Sequence, residues 1–192
     1  MSQLSLEFKG LSIAIAYWDA FLLKYESSWP AELTAWYAQG FPCILVVQQG
    51  VQQARHDLAA VRWNIQGGFC DTACFLAQQA AEKAFQSLLY YLGARRTALL
   101  TRSLVEMVRE GGKNVGEVAN LLDDARLLDL HDIPSRYPNG LPGGYTHQFY
   151  SEDMAEQATR AEDTIVGMVL GFYRARGEED ILEMNEPYVV CR

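Results

Sequence analysis

The stretch F-C-D-T-A-C-F-L-A-Q-Q-A-A-E-K-A-F-Q-S-L-L-Y-Y-L-G, residues 69–93, decides the fold. Phe69, Ala73, Leu76, Ala77, Ala80, Ala84, Leu88 and Leu92 recur at the spacing of an α-helix with one buried face. Asp71 or Thr72 stands where a cap is expected, and Gly93 is a stop signal. Ala73, Ala77, Ala80, Ala81 and Ala84 leave room for a neighbouring backbone, which predicts a helix at the centre of a bundle. Gln79, Glu82 and Lys83 interrupt this apolar surface within about one turn, with Gln79 and Lys83 an i, i+4 pair. A polar patch on such a helix needs partners. It reaches a ligand cleft, or it forms a buried ion pair with Arg136 or Asp57, and the sequence leaves both open.

On the N-terminal side, Val47, Val51, Ala54, Leu58 and Val61 predict a first helix that Gly67-Gly68 ends. On the C-terminal side, the pattern predicts a shorter helix over Leu99–Arg109, closed by Gly111-Gly112. Another follows over Val115–Leu130, with Val118, Leu122, Ala125 and Leu128 inward. Residues 133–150 are rich in proline and glycine and have no sustained period, so they read as a long loop. Ser151 then reads as an N-cap, with Glu152 and Asp153 in the first turn. Met154, Ala158, Ala161, Ile165, Met168, Val169 and Phe172 form the buried stripe of the last core helix.

The fold class is therefore all-α, an up-and-down bundle of four to five helices over residues 44–174. Residues 1–43 form a helical N-terminal extension, with candidate helices at Leu11–Tyr25 and Pro30–Gln39 and four aromatic residues, Trp29, Trp36, Tyr37 and Phe41, that need burial. Residues 175–192 form an acidic tail, expected to fray.

Composition narrows the function classes. An apolar share of 49% beside 21% charged residues is that of a folded globular chain. The longest apolar run, Leu11–Leu23, contains Asp19 and is shorter than the roughly twenty residues a bilayer span needs, so no membrane association is expected and the cytoplasm is the expected compartment. Cys43, Cys70, Cys74 and Cys191 show no paired spacing, so neither a disulfide framework nor a metal is expected, and no cofactor motif is present. A net charge of -8 argues against a general polyanion binder, so any RNA site must be local. The densest basic cluster is Arg95, Arg96, Arg102, Arg109 and Lys113.

Three segments occur in an order known from one family: A-R-H-D-L (54–58), A-Q-Q-A-A-E-K-A (77–84) and L-D-L-H-D-I-P-S-R-Y-P-N (128–139). Together they resemble a HEPN domain of the I-P-x-R-Y-P type. The resemblance implies a bundle that commonly forms a homodimer and is often encoded beside a minimal nucleotidyltransferase partner, as in toxin-antitoxin systems. It implies binding of a nucleotide or RNA. Some family members are metal-independent ribonucleases that resemble one another in an R-x4-6-H motif.

Arg126 and His131 satisfy R-x4-H literally, with His131 as general base on a ribose hydroxyl and Arg126 stabilising phosphorane charge. In the family's pattern Arg136 is the better match to the motif arginine, but Leu141, Pro142 and Gly143 stand where its histidine should fall. Arg136, fixed between Pro134 and Pro138, presents a planar fork suited to phosphate, and Tyr137 beside it suits base stacking. Three readings follow: a non-catalytic module binding a nucleotide or RNA end through Arg136, Tyr137, Gln79, Glu82 and Lys83; a ribonuclease using Arg126 and His131, or Arg136 with a histidine from elsewhere; and a structural interaction module. Whether the protein is an enzyme stays open at this point.

Overall fold

The computed structural model describes residues 43–183; the predicted helices at Leu11–Tyr25 and Pro30–Gln39, the aromatic residues beside them and positions 184–192 of the tail lie outside the described residues. Helix α1 (Cys43–Gln66) and helix α2 (Cys70–Tyr91) form an antiparallel hairpin. Their turn is built by Gly68 in the left-handed region at φ 77°, which lets the amide of Phe69 donate to the Asn64 carbonyl (2.8 Å) and that of Gly68 to Ile65 (3.0 Å). Gly93, at φ 79°, closes α2 in the same way. Phe69, predicted in the buried stripe, belongs to this turn and is exposed. The small residues of α2 do what their size implies: Ala73, Ala77, Ala80, Ala81 and Ala84 are buried, and α1 and the helices over residues 104–112 and 152–175 pack against α2. Gly50 of α1 crosses so close that a Cβ there would stand 3.0 Å from the Cβ of Ser87.

The predicted helix over Leu99–Arg109 is two pieces, α3 (Arg95–Leu100) and α4 (Leu104–Gly112). The break has a capping cause. Ser103 accepts from the Glu106 amide, and the carboxylate of Asp129, arriving from elsewhere in the chain, accepts from the amides of Leu104 (2.8 Å) and Val105 (3.2 Å) and from the Ser103 hydroxyl (2.7 Å). The predicted helix over Val115–Leu130 opens instead as a 3-10 segment, Gly116–Leu121, before α5 (Leu122–Asp129). Three residues per turn bring Leu121 inward with Val118 and leave Leu122 half-buried, a register the α-helical period misses.

Residues 133–150 contain a 3-10 turn at Pro138–Gly140 and the single-turn helix α6 (Thr146–Phe149). The Thr146 hydroxyl donates to Asp71 at 2.7 Å, which pins this segment to the start of α2. Helix α7 (Glu152–Ala175) begins at the predicted Ser151 cap and lays Ala155, Ala158, Ala161, Ile165, Val169 and Phe172 into the core. Among the described residues the chain continues in order beyond Arg174. It turns into α8 (Glu179–Leu182), where Ile181 and Leu182 are buried and the side chains of Gln48, Gln52 and Arg55 on α1 donate to the carbonyls of Asp180, Glu183 and Leu182. The periodicity of the sequence could not announce a latch made by backbone carbonyls.

The architecture is an all-α bundle in which α1, α2 and α7 are the long members and α4 and α5 complete the core. Among the described residues no helix is long and apolar enough to cross a membrane. No group of three His, Cys, Asp or Glu side chains among them is arranged to hold a metal.

Candidate functional site

The polar patch of α2 opens into a connected network. Lys83 lies 2.8 Å from Asp57 of α1, a buried carboxylate that also accepts from Gln53 at 2.7 Å. Lys83 reaches back to the Gln79 carbonyl (3.3 Å) and side-chain oxygen (3.4 Å). Gln79 in turn donates to Glu82 at 3.2 Å. Glu82 is buried and accepts from Gln78 (3.0 Å) and Gln86 (3.2 Å) as well. Such burial of a charged carboxylate is tolerable because three amide donors surround it.

From Glu82 the network crosses to other elements. Arg102, in the break before α4, places one guanidinium nitrogen 3.7 Å from Glu82 and 3.7 Å from Asp132. Asp132 accepts from Arg136 at 3.1 Å, and the Nε of Arg136 donates to the Asp132 carbonyl, also at 3.1 Å. The Arg136 guanidinium lies 4.5 Å above the Phe75 ring of α2 and 5.3 Å from the Tyr137 ring. Tyr137 is 52% exposed, so its ring is available to solvent instead of filling the core. The Asp129 cap explains the assembly: by holding the start of α4 against the end of α5, it brings Arg102 next to Asp132.

Four of the predicted site residues, Gln79, Glu82, Lys83 and Arg136, thus join one network, with Tyr137 at its edge. Arg102 and Asp132 are members that the sequence reading did not assign to this site. The signal for Asp132 is its i, i+4 spacing to Arg136; for Arg102, a cation immediately before the Ser103 cap.

Residues 47–172 match the model of the HEPN domain. The chain belongs to the HEPN family. TT1696 from Thermus thermophilus is 30% identical, with a TM-score of 0.59, and the match covers 65% of this chain and 96% of that one. ST0689, described as an archaeal HEPN homologue, is 31% identical with a TM-score of 0.53 over 65% of this chain and 95% of that one. No curated protein matches. HEPN membership supports a nucleotide- or RNA-related role in general.

In this HEPN chain the literal R-x4-H pair does not converge. Arg126 is exposed and pairs with Asp123 on its own helix at 2.7 Å. His131 is 7% exposed and turns its ring into the bundle, with Nδ1 3.4 Å from the Tyr150 hydroxyl. Burial lowers the His131 pKa, which favours the neutral ring. Within the basic cluster, Arg109 and Lys113 line a shallow groove of about 300 Å³ with Val108, Gly112, Ala119 and Leu122, and Lys113 pairs with Glu110 at 2.6 Å. Cys74 is buried in the core and its thiol is pushed up to about 12 by that burial, with Cys70 and Asp71 adding to the shift.

Proposed function

We propose that this chain is a HEPN module of the I-P-x-R-Y-P type that binds a nucleotide or an RNA end at the network of Arg136, Gln79, Glu82 and Lys83, with Tyr137 as a stacking surface. It acts as a homodimer beside a minimal nucleotidyltransferase, in the manner of toxin-antitoxin or related systems. The observation that carries the reading is Arg136: a guanidinium lying over the Phe75 ring, edged by an exposed tyrosine and connected to a polar helix face in the bundle centre. A fixed cation next to an accessible ring matches the two halves of a nucleotide, phosphate and base.

Within the chain Arg126 pairs with Asp123 and His131 lies against Tyr150, which favours the binding module over a ribonuclease that uses this pair. The test is thermal unfolding against a panel of nucleotides and a short RNA with added chelator, with the recovered RNA run on a gel. The expected result is a ligand-dependent rise in melting temperature, lost in Arg136→Ala, with intact RNA. Cleavage that disappears in His131→Ala would overturn the reading. No rise with any ligand would favour a purely structural role.

A further inference from the structure

Two guanidinium groups converge on a single carboxylate oxygen. Oδ1 of Asp132 lies 3.1 Å from a terminal nitrogen of Arg136 and 3.7 Å from one of Arg102. The two arginines differ in how firmly they are held. Arg136 hydrogen-bonds Asp132 through both side chain and backbone and stacks on Phe75. Arg102 is 60% exposed and stands beyond hydrogen-bond distance from both carboxylates that flank it. Glu82, on its other side, keeps the amide groups of Gln78, Gln79 and Gln86 if Arg102 moves, so releasing that arginine strands no buried charge.

We infer that Arg102 and Arg136 form a phosphate subsite that the Asp132 carboxylate fills in the free protein, so that the ligand is recognised by a phosphomonoester group. The Asp132 oxygen occupies the position a phosphate oxygen takes. Asp132 is only partly buried and swings toward solvent as the ligand enters. Charge then selects the ligand class. A phosphodiester carries one negative charge, as Asp132 does, and gains nothing by replacing it. A phosphomonoester carries roughly -1.5 to -2 and three acceptor oxygens, enough to engage both arginine forks at once. The subsite therefore favours a nucleotide or an RNA with a terminal phosphate over an internal segment of RNA.

The inference rests on the nucleotide-binding reading and is separable from it. The probes are a short oligoadenylate with a 5′-phosphate, a 3′-phosphate or hydroxyls at both ends, and inorganic phosphate alone, titrated into the full chain by calorimetry. At least tenfold tighter binding of one phosphorylated form than of the hydroxyl form is expected. Arg102→Ala, at an exposed side chain, should erase that difference, and Asp132→Asn should widen it severalfold and tighten inorganic phosphate. If Asp132→Asn fails to fold, Asp132→Ser replaces it. Equal binding of all three oligomers to the native protein, or an Asp132 variant that binds phosphate no better, overturns the subsite and leaves the broader reading standing. No binding of any probe overturns both.

Discussion

Replacing Glu162 by glutamine should change how stability depends on pH. Glu162 sits in the middle of α7, fully buried, and neither carboxylate oxygen has a hydrogen-bond partner among the described residues. Burial pushes its pKa from 4.5 up to about 8, with Asp163 on the same helix and Asp57 on α1 adding to the shift and Arg62 on α1 opposing it. In the unfolded chain the carboxyl loses its proton near its ordinary value, so folding above that pH requires taking the proton back. Each pH unit between the two values costs about 1.4 kcal/mol, and the stability of the native protein falls as pH rises through this window. Between pH 5 and pH 8 the accumulated loss is about 3 to 4 kcal/mol. Glutamine has nearly the same shape and no proton to recover, so its curve lacks this slope, whatever constant cost its unpartnered amide adds. Urea unfolding of both proteins at four pH values from 5 to 8, followed by circular dichroism at 222 nm, reads the difference directly. Parallel curves would refute the reasoning, because they would mean that Glu162 is ionised and solvated in the folded protein.

Other perturbations follow from the same geometry. Lys83→Met removes the ion-pair partner of the buried Asp57 and should cost about 3 kcal/mol in urea unfolding; a loss too small to resolve would show that Asp57 finds water. Asp129→Ala removes the acceptor for two α4 amides and the Ser103 hydroxyl, with an expected loss of about 2 kcal/mol, and in the same variant the nucleotide-induced thermal shift should shrink because Arg102 and Asp132 lose their tether. Because burial lowers the His131 pKa, an unfolded chain accepts a proton before the folded one as pH drops below 6.5, and His131→Asn should flatten the loss of stability between pH 7 and pH 5. Arg126→Ala should leave both stability and ligand response unchanged, since its pair with Asp123 is exposed on both sides.

Much of the bundle was legible because helical period is a local signal. The α2 stretch carried its own small-residue seam, and the Ser151 cap sat at the residue the pattern named. Where a boundary depended on a distant partner, the local signal failed: the break at 101–103 exists because Asp129 caps α4 from across the sequence, and the 3-10 opening of the next segment shifted the inward register by one residue. The site divides in the same way. Gln79, Glu82 and Lys83 were visible as polar residues on an apolar helix, and Arg136 as a cation fixed between prolines. Arg102 looked like one more member of a basic cluster, because nothing within a few residues of it says that it ends between two carboxylates. The Arg126–His131 spacing records separation along the chain and not facing: the bundle turns one side chain outward and the other inward.

The α8 latch also ties residues 180–183 to the first turns of α1. Gln48 holds the Asp180 carbonyl and Gln52 that of Glu183, and these side chains lie only about 8 and 14 Å along α1 from Cys43. The two ends of the described residues therefore lie on one side of the bundle. Ser87, which meets Gly50 on that side, is about 18 Å along α2 from Phe75, the ring beneath Arg136. Labels carried by the exposed Ile44 and Glu183 thus stand on the same side of the described bundle, and energy transfer between them senses whether the latch is shut.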